Sequence, residues 1–563
     1  MSDVPPERPG ADGSADPSSA PLSGTTVPED ETTVLSRTER RAAERARHTR
    51  RRRRVVLIVL GSLVGVVVLV AAAGAGFLWY ENGRIHRVGV KHLSTVRTTG
   101  DQKDVENILL IGSTTRCGLK QQNQAFGLCD EGVTGVNSDV VMILHLDPDH
   151  HRASILSIPR DTFVPNARPE GVNKIDAALG SPQGPSQLIA AITDDFGIPI
   201  QHYVQLNFDG FQSVVQALGG LKMYFPMPVY DADSSLYIPD TGCLTLNGFE
   251  ALAVVRARHL QYQPADDAGV PRYDWPYDPQ SDLARIRRDH EFLRVLAAAV
   301  KARGLGDPLT DQDVVSSVVG QLEVDSGFSA TDMLDLVLTF HSVDVADVPE
   351  LTLPVSADQA GSYYYKGSNY GDVEFTAEPQ DHQAIDQFLG LAANDDTFSG
   401  GALPPPSSVT VSVMNGSGVY SEGADTADSL QALGFHVGTV DTTTPVGRQA
   451  ETVVAYSAVS ASELAAAQSV ADSLSGAVIL AYDPSQVPAG SQVSVVTGTD
   501  VTVHPPAAPP ASPTSSTASS TAAPSTTTTA PIGSAALAPP NPTVQALQPW
   551  DPRACTASGG EGS

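Results

Sequence analysis

No charged residue interrupts the 26 positions from Val55 to Tyr80. A run of that length can cross the hydrocarbon core of a bilayer with some tilt, so it divides the chain between two compartments before any fold is considered. Trp79 and Tyr80 close the run with rings suited to a membrane interface. Ten arginines lie between Arg37 and Arg54, and the positive-inside rule keeps that flank in the cytoplasm. The run is also too long, and too far from the N-terminus, for a cleaved secretory signal. The expectation is a single transmembrane helix over 55–80, with residues 1–54 as a basic cytoplasmic tail and about 480 residues outside the cell.

Charge and composition divide the rest. Residues 1–54 hold 11 arginines against 9 acidic residues, whereas the remainder holds 24 Lys and Arg against 55 Asp and Glu, within a net charge of −29. So acidic an outer portion repels nucleic acid, which is therefore not an expected partner. Residues 1–36, rich in Pro, Gly, Ser and acidic residues, read as disordered. A stalk is expected over 81–103, a globular domain over 104–395, a Pro-rich linker over 396–406, a smaller domain over 407–504, and a disordered Pro/Ser/Thr/Ala tail over 505–563. Cys117 and Cys129 bracket the loop "CGLKQQNQAFGLC" at a spacing that is not a zinc pattern, and a local disulfide is expected outside the cell. Cys243 and Cys555 have no evident partners in the sequence.

In the first domain, "NILLIG" (107–112) is a short apolar strand running into the loop "STTR". The stretch "NSDVVMILHLDPDHHRASILSIPRD" reads as two strands around a turn at "DPDH". Its apolar run at 140–144 does not alternate, which implies a sheet covered on both faces. If the turn centres between Asp149 and His150, Asp139 falls opposite Arg160 at the open end of the hairpin, with Asp161 and Arg116 close by. In "LTLNGFEALAVVRARH", Asn247 and Glu250 form a capping box for a short helix ending near Arg256. Arg256 and Arg258 then lie in an extended exit and face the same way. On the helix "SDLARIRRDHEFLRVLAAAV", Ile286, Leu293, Leu296 and Val300 mark the buried face. Asp282, Arg285 and Asp289 fall on or beside it, and Arg287 and Arg288 are expected to point away.

Two readings of these charges stand side by side. Each arginine can close a structural salt bridge. Grouped at element ends in an acidic domain, however, Arg116, Arg160, Arg256, Arg258 and Arg285 offer the planar donors that suit phosphate or pyrophosphate, and Asp139 can hold Mg²⁺. No nucleophile–His–acid set, Walker loop or His/Cys metal pattern stands out.

"NILLIGSTTR", "NSDVVMILHLDPD…SILSIPRDTFV", "NKID", "VVQALGGLKMYFP", "LTLNGFEALAVVRARH" and "DLARIRRDHEFL" occur in the order of the LytR–CpsA–Psr family, which this chain resembles over roughly 104–395. The 407–504 segment resembles the LytR C-terminal domain of actinobacterial members. The resemblance implies an α/β fold, a mixed sheet flanked by helices, with an apolar pocket for a polyprenyl tail. It implies transfer of a glycopolymer from a polyprenyl-pyrophosphate carrier to a peptidoglycan sugar hydroxyl by a membrane-anchored enzyme. Asp139, Arg160, Arg258 and Arg285 then resemble the catalytic set. Arg116, Asp161, Lys174, Arg256 and Asp289 resemble substrate-binding residues, and Asp139 also the ligand of Mg²⁺, or of Mn²⁺ in its place.

This chain departs from the family pattern in four ways. Thr114 stands where an aspartate is usual, Asp289 where a glutamine follows the arginine, and Asp176 where an asparagine follows the lysine motif. The stretch "QYQPADDAGVPRYDWPYDPQ" is an insertion between the arginine groups. The alternative functions are a non-catalytic binder of lipid pyrophosphate or cell wall, and a pyrophosphatase using the same site. The smaller domain reads β-α-β-β-α-β with a closing strand pair, a small split-βαβ fold without a catalytic constellation.

Overall fold

The computed structural model describes residues 74–95, 104–302, 319–357, 362–441, 449–506 and 546–555, apart from positions 78, 118, 120–122, 170, 265–268, 341–342 and 345–346. Most of the expected membrane span and all of the basic tail lie outside the described residues. No helix among the described residues is long and apolar enough to cross a membrane. Residues 74–77 and 79–82, at the end of the apolar run, are helical, with Trp79 and Tyr80 exposed.

The first domain is a mixed α/β fold around a seven-stranded sheet. Its strand order is His86–Val88, Glu323–Asp325, His202–Leu206, Glu106–Ser113, Ser138–Asp147, Arg152–Ser157 and Glu350–Thr352. The hairpin at its centre has the register expected from its turn, with Asp147 opposite Arg152 and Met142 opposite Ser157. Strand His86–Val88 falls inside the expected stalk, yet it pairs in parallel with Glu323–Asp325 and forms an edge of the sheet. Local sequence could not indicate this, because its partner lies more than 200 residues away.

Helix Pro185–Phe196 covers one face of the sheet. Eleven of its 12 residues are buried, among them the polar Gln187, Asp194 and Asp195. The reason is a second sheet on its far side. In the smaller domain, strands His436–Asp441, Thr410–Met414, Val493–Val496, Thr452–Tyr456 and Val478–Tyr482 lie in that order. One face of this sheet packs on helices Glu422–Ala432 and Ala461–Ala471. From its other face Val453, Ile479, Ala481 and Val496 join the core that holds Leu188, Ile189 and Ile192. Helix Glu422–Ala432 ends as its sequence indicates: Gly434 takes a φ of 101° and the amide of Phe435 donates back to the carbonyl of Leu430.

The segment between the domains is packed into the fold. The Thr397 hydroxyl donates to the Gly197 carbonyl at 3.0 Å, and its amide donates to Gln468 Oε1 at 3.1 Å. The end of the expected disordered tail is also ordered. Arg553–Ala554 adds a strand beside Leu221–Phe225, Cys555 is bonded to Cys243, and the Trp550 ring stacks on Tyr262 with centroids 4.2 Å apart. The partner of Cys243 thus lies 312 residues along the chain. Cys117 and Cys129 are bonded to one another, as their spacing predicts.

Candidate functional site

The hairpin, the exit of the capped helix and the long helix Ser281–Ala302 converge at one end of the central sheet. The Asn247 side chain accepts from the amide of Glu250 at 3.0 Å, and the Glu250 carboxylate accepts from the amide of Asn247 at 2.9 Å, so helix Gly248–Arg256 starts as predicted. It stops at Arg256 because Ala257 is extended. That geometry sends Arg256 and Arg258 to adjoining parts of one site.

Arg160 pairs with Asp139, as the hairpin register predicts. The Asp161 carboxylate accepts from Lys174 Nζ at 2.9 Å and from Arg258 Nη2 at 3.1 Å, and Arg160 Nε lies 3.4 Å away. Asp282 is the second hub and was missing from the expected site. Its Oδ1 lies 3.0 Å from Arg258 Nε, 3.1 Å from Arg285 Nη2 and 3.9 Å from Arg160 Nε. Its place on the buried helix face, three residues before Arg285, was the available signal.

Burial and charge compete across this cluster. Burial opposes ionisation of Asp161, but Arg160, Lys174 and Arg258 outweigh it and hold the carboxyl below its ordinary range. Burial pushes Asp176 up to about 6 despite Arg160. Burial, with Asp282 and Asp161 nearby, pushes Glu374 up to about 7.

Behind the cluster lies a cavity of about 250 Å³ with walls that include Met142, Val204, Phe211 and Phe292. Its polar end is formed by Asp139, Arg256, Arg285 and Asp289. Arg256 lies over the rings of Phe126 and Phe208, at 4.8 and 5.0 Å from their centroids. Phe126 belongs to the loop closed by Cys117 and Cys129. Arg116 supports that loop, donating to the carbonyls of Phe126 at 2.5 Å and Thr114 at 3.1 Å. Arg256 Nη1 and Arg285 Nε are buried without an acceptor, and both oxygens of Asp289 are buried without a donor. Unfilled donors at the mouth of an apolar cavity suit an anionic head on an apolar chain. Burial, against Arg285 and Arg288, pushes Asp289 up to about 8.

The donors fit a magnesium ion in this respect: Asp139 and Asp289 both line this cavity, and Mg²⁺ usually takes one or two carboxylates plus phosphate oxygens. Thr114 is committed elsewhere, its hydroxyl lying 3.3 Å from the Asn137 carbonyl and 3.0 Å from the Asn137 amide.

Arg287 and Arg288 overturn the helical-wheel expectation. Both are about 98–99% buried. Arg287 Nε meets Asp551 Oδ2 at 2.7 Å and its Nη2 meets Asp278 Oδ2 at 2.8 Å. Arg288 Nη1 lies 3.2 Å from Asp278, and its Nη2 donates to the Ala257 carbonyl at 2.5 Å. The wheel supposed one buried face, but the inserted stretch supplies Asp278 and the chain terminus supplies Asp551 to enclose the other.

On the same helix, His290 Nε2 lies 2.6 Å from Ser157 Oγ. Burial, then Arg294, pushes its imidazole down to about 4 from an ordinary 6.5. The unfolded chain therefore takes up this proton first. The stability it contributes is present above pH 6.5 and is lost as pH falls through 6.5 towards 4, by on the order of 3 kcal/mol. Urea unfolding across that window should show a shallower acid loss for His290→Gln than for the wild type, and parallel curves would refute the assignment.

Comparison with known proteins shows the family. The profile of the LytR_cpsA_psr family matches residues 82–379, and that of the LytR cell envelope-related transcriptional attenuator matches residues 408–500. The chain is 29% identical over 282 residues to the probable cell wall biosynthesis protein LcpB of Corynebacterium glutamicum, a match covering 50% of this chain and 60% of that protein. It is 28% identical over 241 residues to the polyisoprenyl-teichoic acid–peptidoglycan teichoic acid transferase TagU of Oceanobacillus iheyensis, over 40% of this chain and 67% of that one. Among solved structures, the LytR-Csp2A-Psr enzyme from Actinomyces oris is 22% identical with a TM-score of 0.38, over 48% of this chain and 88% of that one.

Proposed function

The chain belongs to the LytR–CpsA–Psr family, and from that premise we propose that it transfers a glycopolymer from a polyprenyl-pyrophosphate carrier to a sugar hydroxyl of peptidoglycan, at the outer face of the membrane that its apolar run would span. The observation that carries this reading is the juxtaposition of a basic cluster with an apolar cavity. Arg160, Lys174, Arg258 and Arg285 stand at one end of the sheet, and Arg256 and Arg285, each with a buried donor that lacks a partner, line the adjoining cavity. Teichoic acid transfer by the relative TagU and the cell-wall role of LcpB support the same class of substrate.

In this reading the cavity takes the first part of the polyprenyl chain, and the arginines bind the pyrophosphate oxygens. Pyrophosphate exchanges with Asp161 and Asp282 for these donors, so the cations are held in place before the substrate arrives. The acceptor hydroxyl attacks the phosphorus on the polymer side, the bond from that phosphorus to the bridging oxygen breaks, and polyprenyl phosphate leaves, the hydroxyl proton passing to the departing phosphate or to solvent. Charge stabilisation and positioning suffice for such a step, without a protein nucleophile. Magnesium would be held by Asp139, with Asp289 beside it, and would supply further neutralisation of the phosphate oxygens.

Arg258, 30% exposed, is the most accessible of the three arginines in the cluster. Arg258→Ala should weaken binding of polyprenyl pyrophosphate ten- to hundredfold, the equivalent of one charge-assisted bond of about 1.5–3 kcal/mol. Arg152→Ala, at the turn of the hairpin and 58% exposed, is the control. Calorimetric titration giving equal affinities for the two variants would remove the site. The second reading, a binder without transferase activity, draws on Thr114, which brings no charge to the metal site; tight lipid binding with no transfer at any magnesium concentration would favour it.

A further inference from the structure

At the boundary between the two domains, far from the arginine cluster in sequence, lies a buried group of acids. Glu378 lies two residues before helix Gln380–Leu389, Asp381 and Asp386 lie within it, and Asp472 follows helix Ala461–Ala471 of the smaller domain. His382 sits among them, its Nε2 3.3 Å from Asp472 Oδ1 and 3.8 Å from Asp386 Oδ1, and its Nδ1 3.9 Å from Glu378 Oε1. Among the described residues no arginine or lysine is ion-paired with any of these carboxylates. Such a group is costly to bury unless a cation or shared protons neutralise it.

Three further observations point to a cation. Glu378 is 7% exposed, and its Oε2 has no hydrogen-bond partner. Glu378 and His382 line a cavity of about 20 Å³, close to the roughly 10–15 Å³ that a single small species needs. One donor atom each from Glu378, His382 and Asp472 lie within 4.8 Å of one another. A modest contraction of that triangle brings all three to the roughly 2.0–2.2 Å of a metal–ligand bond. The backbone already holds the pieces in register, since Glu378 and Gly476 exchange amide–carbonyl bonds of 3.0 and 3.2 Å across the boundary.

We propose that Glu378, His382 and Asp472 form a divalent-cation site, of the zinc or manganese class, that staples the smaller domain to the first. One imidazole with two carboxylates suits those ions better than magnesium or calcium, which favour oxygen donors alone. Asp386, beside His382, completes or orients the set.

The test uses the whole ectodomain, stripped with chelator and titrated with ZnCl₂ or MnCl₂. We expect one equivalent of metal to survive gel filtration by elemental analysis, and the melting temperature to rise by several degrees. His382→Gln and Asp472→Asn should lose both responses, while Asp139→Ala keeps them, which separates this site from the arginine cluster. A wild-type protein that retains no metal and shows no thermal shift with either ion overturns the proposal, and the carboxylates then share protons instead. This wild-type measurement stands even if the variants fail to fold.

Discussion

Asp551→Ala is expected to lower the melting temperature of the protein by on the order of 10 °C, although Asp551 lies at the far end of a Pro- and Thr-rich tail. The Asp551 side chain is fully buried and is shared by Arg287 Nε at 2.7 Å and Arg288 Nη1 at 3.5 Å. Its removal leaves two buried guanidinium groups dependent on Asp278. Breaking a buried pair in this way costs about 3–5 kcal/mol, because the remaining charge has no solvent to replace its partner. For a domain of this size each kcal/mol lowers the midpoint by about 2–4 °C.

The effect should extend to function. Arg287, Arg288 and Glu291 hold one side of the long helix to the terminal segment, with the Ala554 amide donating to Glu291 at 2.7 Å. The opposite side of the same helix presents Asp282, Arg285 and Asp289 to the site. Deleting residues 546–563 should therefore destabilise the domain at least as much as Asp551→Ala, and lower lipid binding as well. Scanning calorimetry on both proteins tests this, and a midpoint within 2 °C of wild type for either variant would show that the terminal clasp is ornamental.

Asp139→Ala is expected to lower transfer of labelled lipid-linked glycan to peptidoglycan fragments by about 10²–10³-fold, the usual effect of removing a charge aimed at the reacting group. Asp139 pairs with Arg160 and lines the cavity, so the substitution removes both the proposed metal ligand and the partner that positions the proposed phosphate donor. The fold should survive, because Asp139 is partly exposed and Arg160 retains Asp161 at 3.4 Å. Thr114→Asp is the complementary change: it adds a carboxylate beside the same strand end and should raise the magnesium affinity of the free protein. Rates measured against magnesium concentration separate the roles. Activity of Asp139→Ala within twofold of wild type at every concentration would exclude Asp139 from the reaction.

The parts of this protein that its sequence determined are those in which the interacting residues are close along the chain. The turn at "DPDH" set the register that pairs Asp139 with Arg160, because a hairpin register follows from its turn. Asn247 and Glu250 started a helix, Gly434 stopped one, and a twelve-residue spacing sufficed for Cys117 to find Cys129. Most of the basic site was legible in the same way, since Arg160, Lys174, Arg258 and Arg285 each sit in a motif at an element end.

Tertiary structure decided what depends on distant segments. Arg287 and Arg288 are surface residues on a wheel and core residues in the fold, because Asp551, 264 positions beyond Arg287, neutralises them. Asp282 became a hub only when helix Ser281–Ala302 was laid against the hairpin and the exit of Gly248–Arg256. Helix Pro185–Phe196 is buried on most sides because a second domain covers what the first leaves open. Periodicity reports that a residue must be buried or paired; it does not say by which remote part of the chain, since charge neutralisation and apolar packing act through space and leave no mark on sequence spacing.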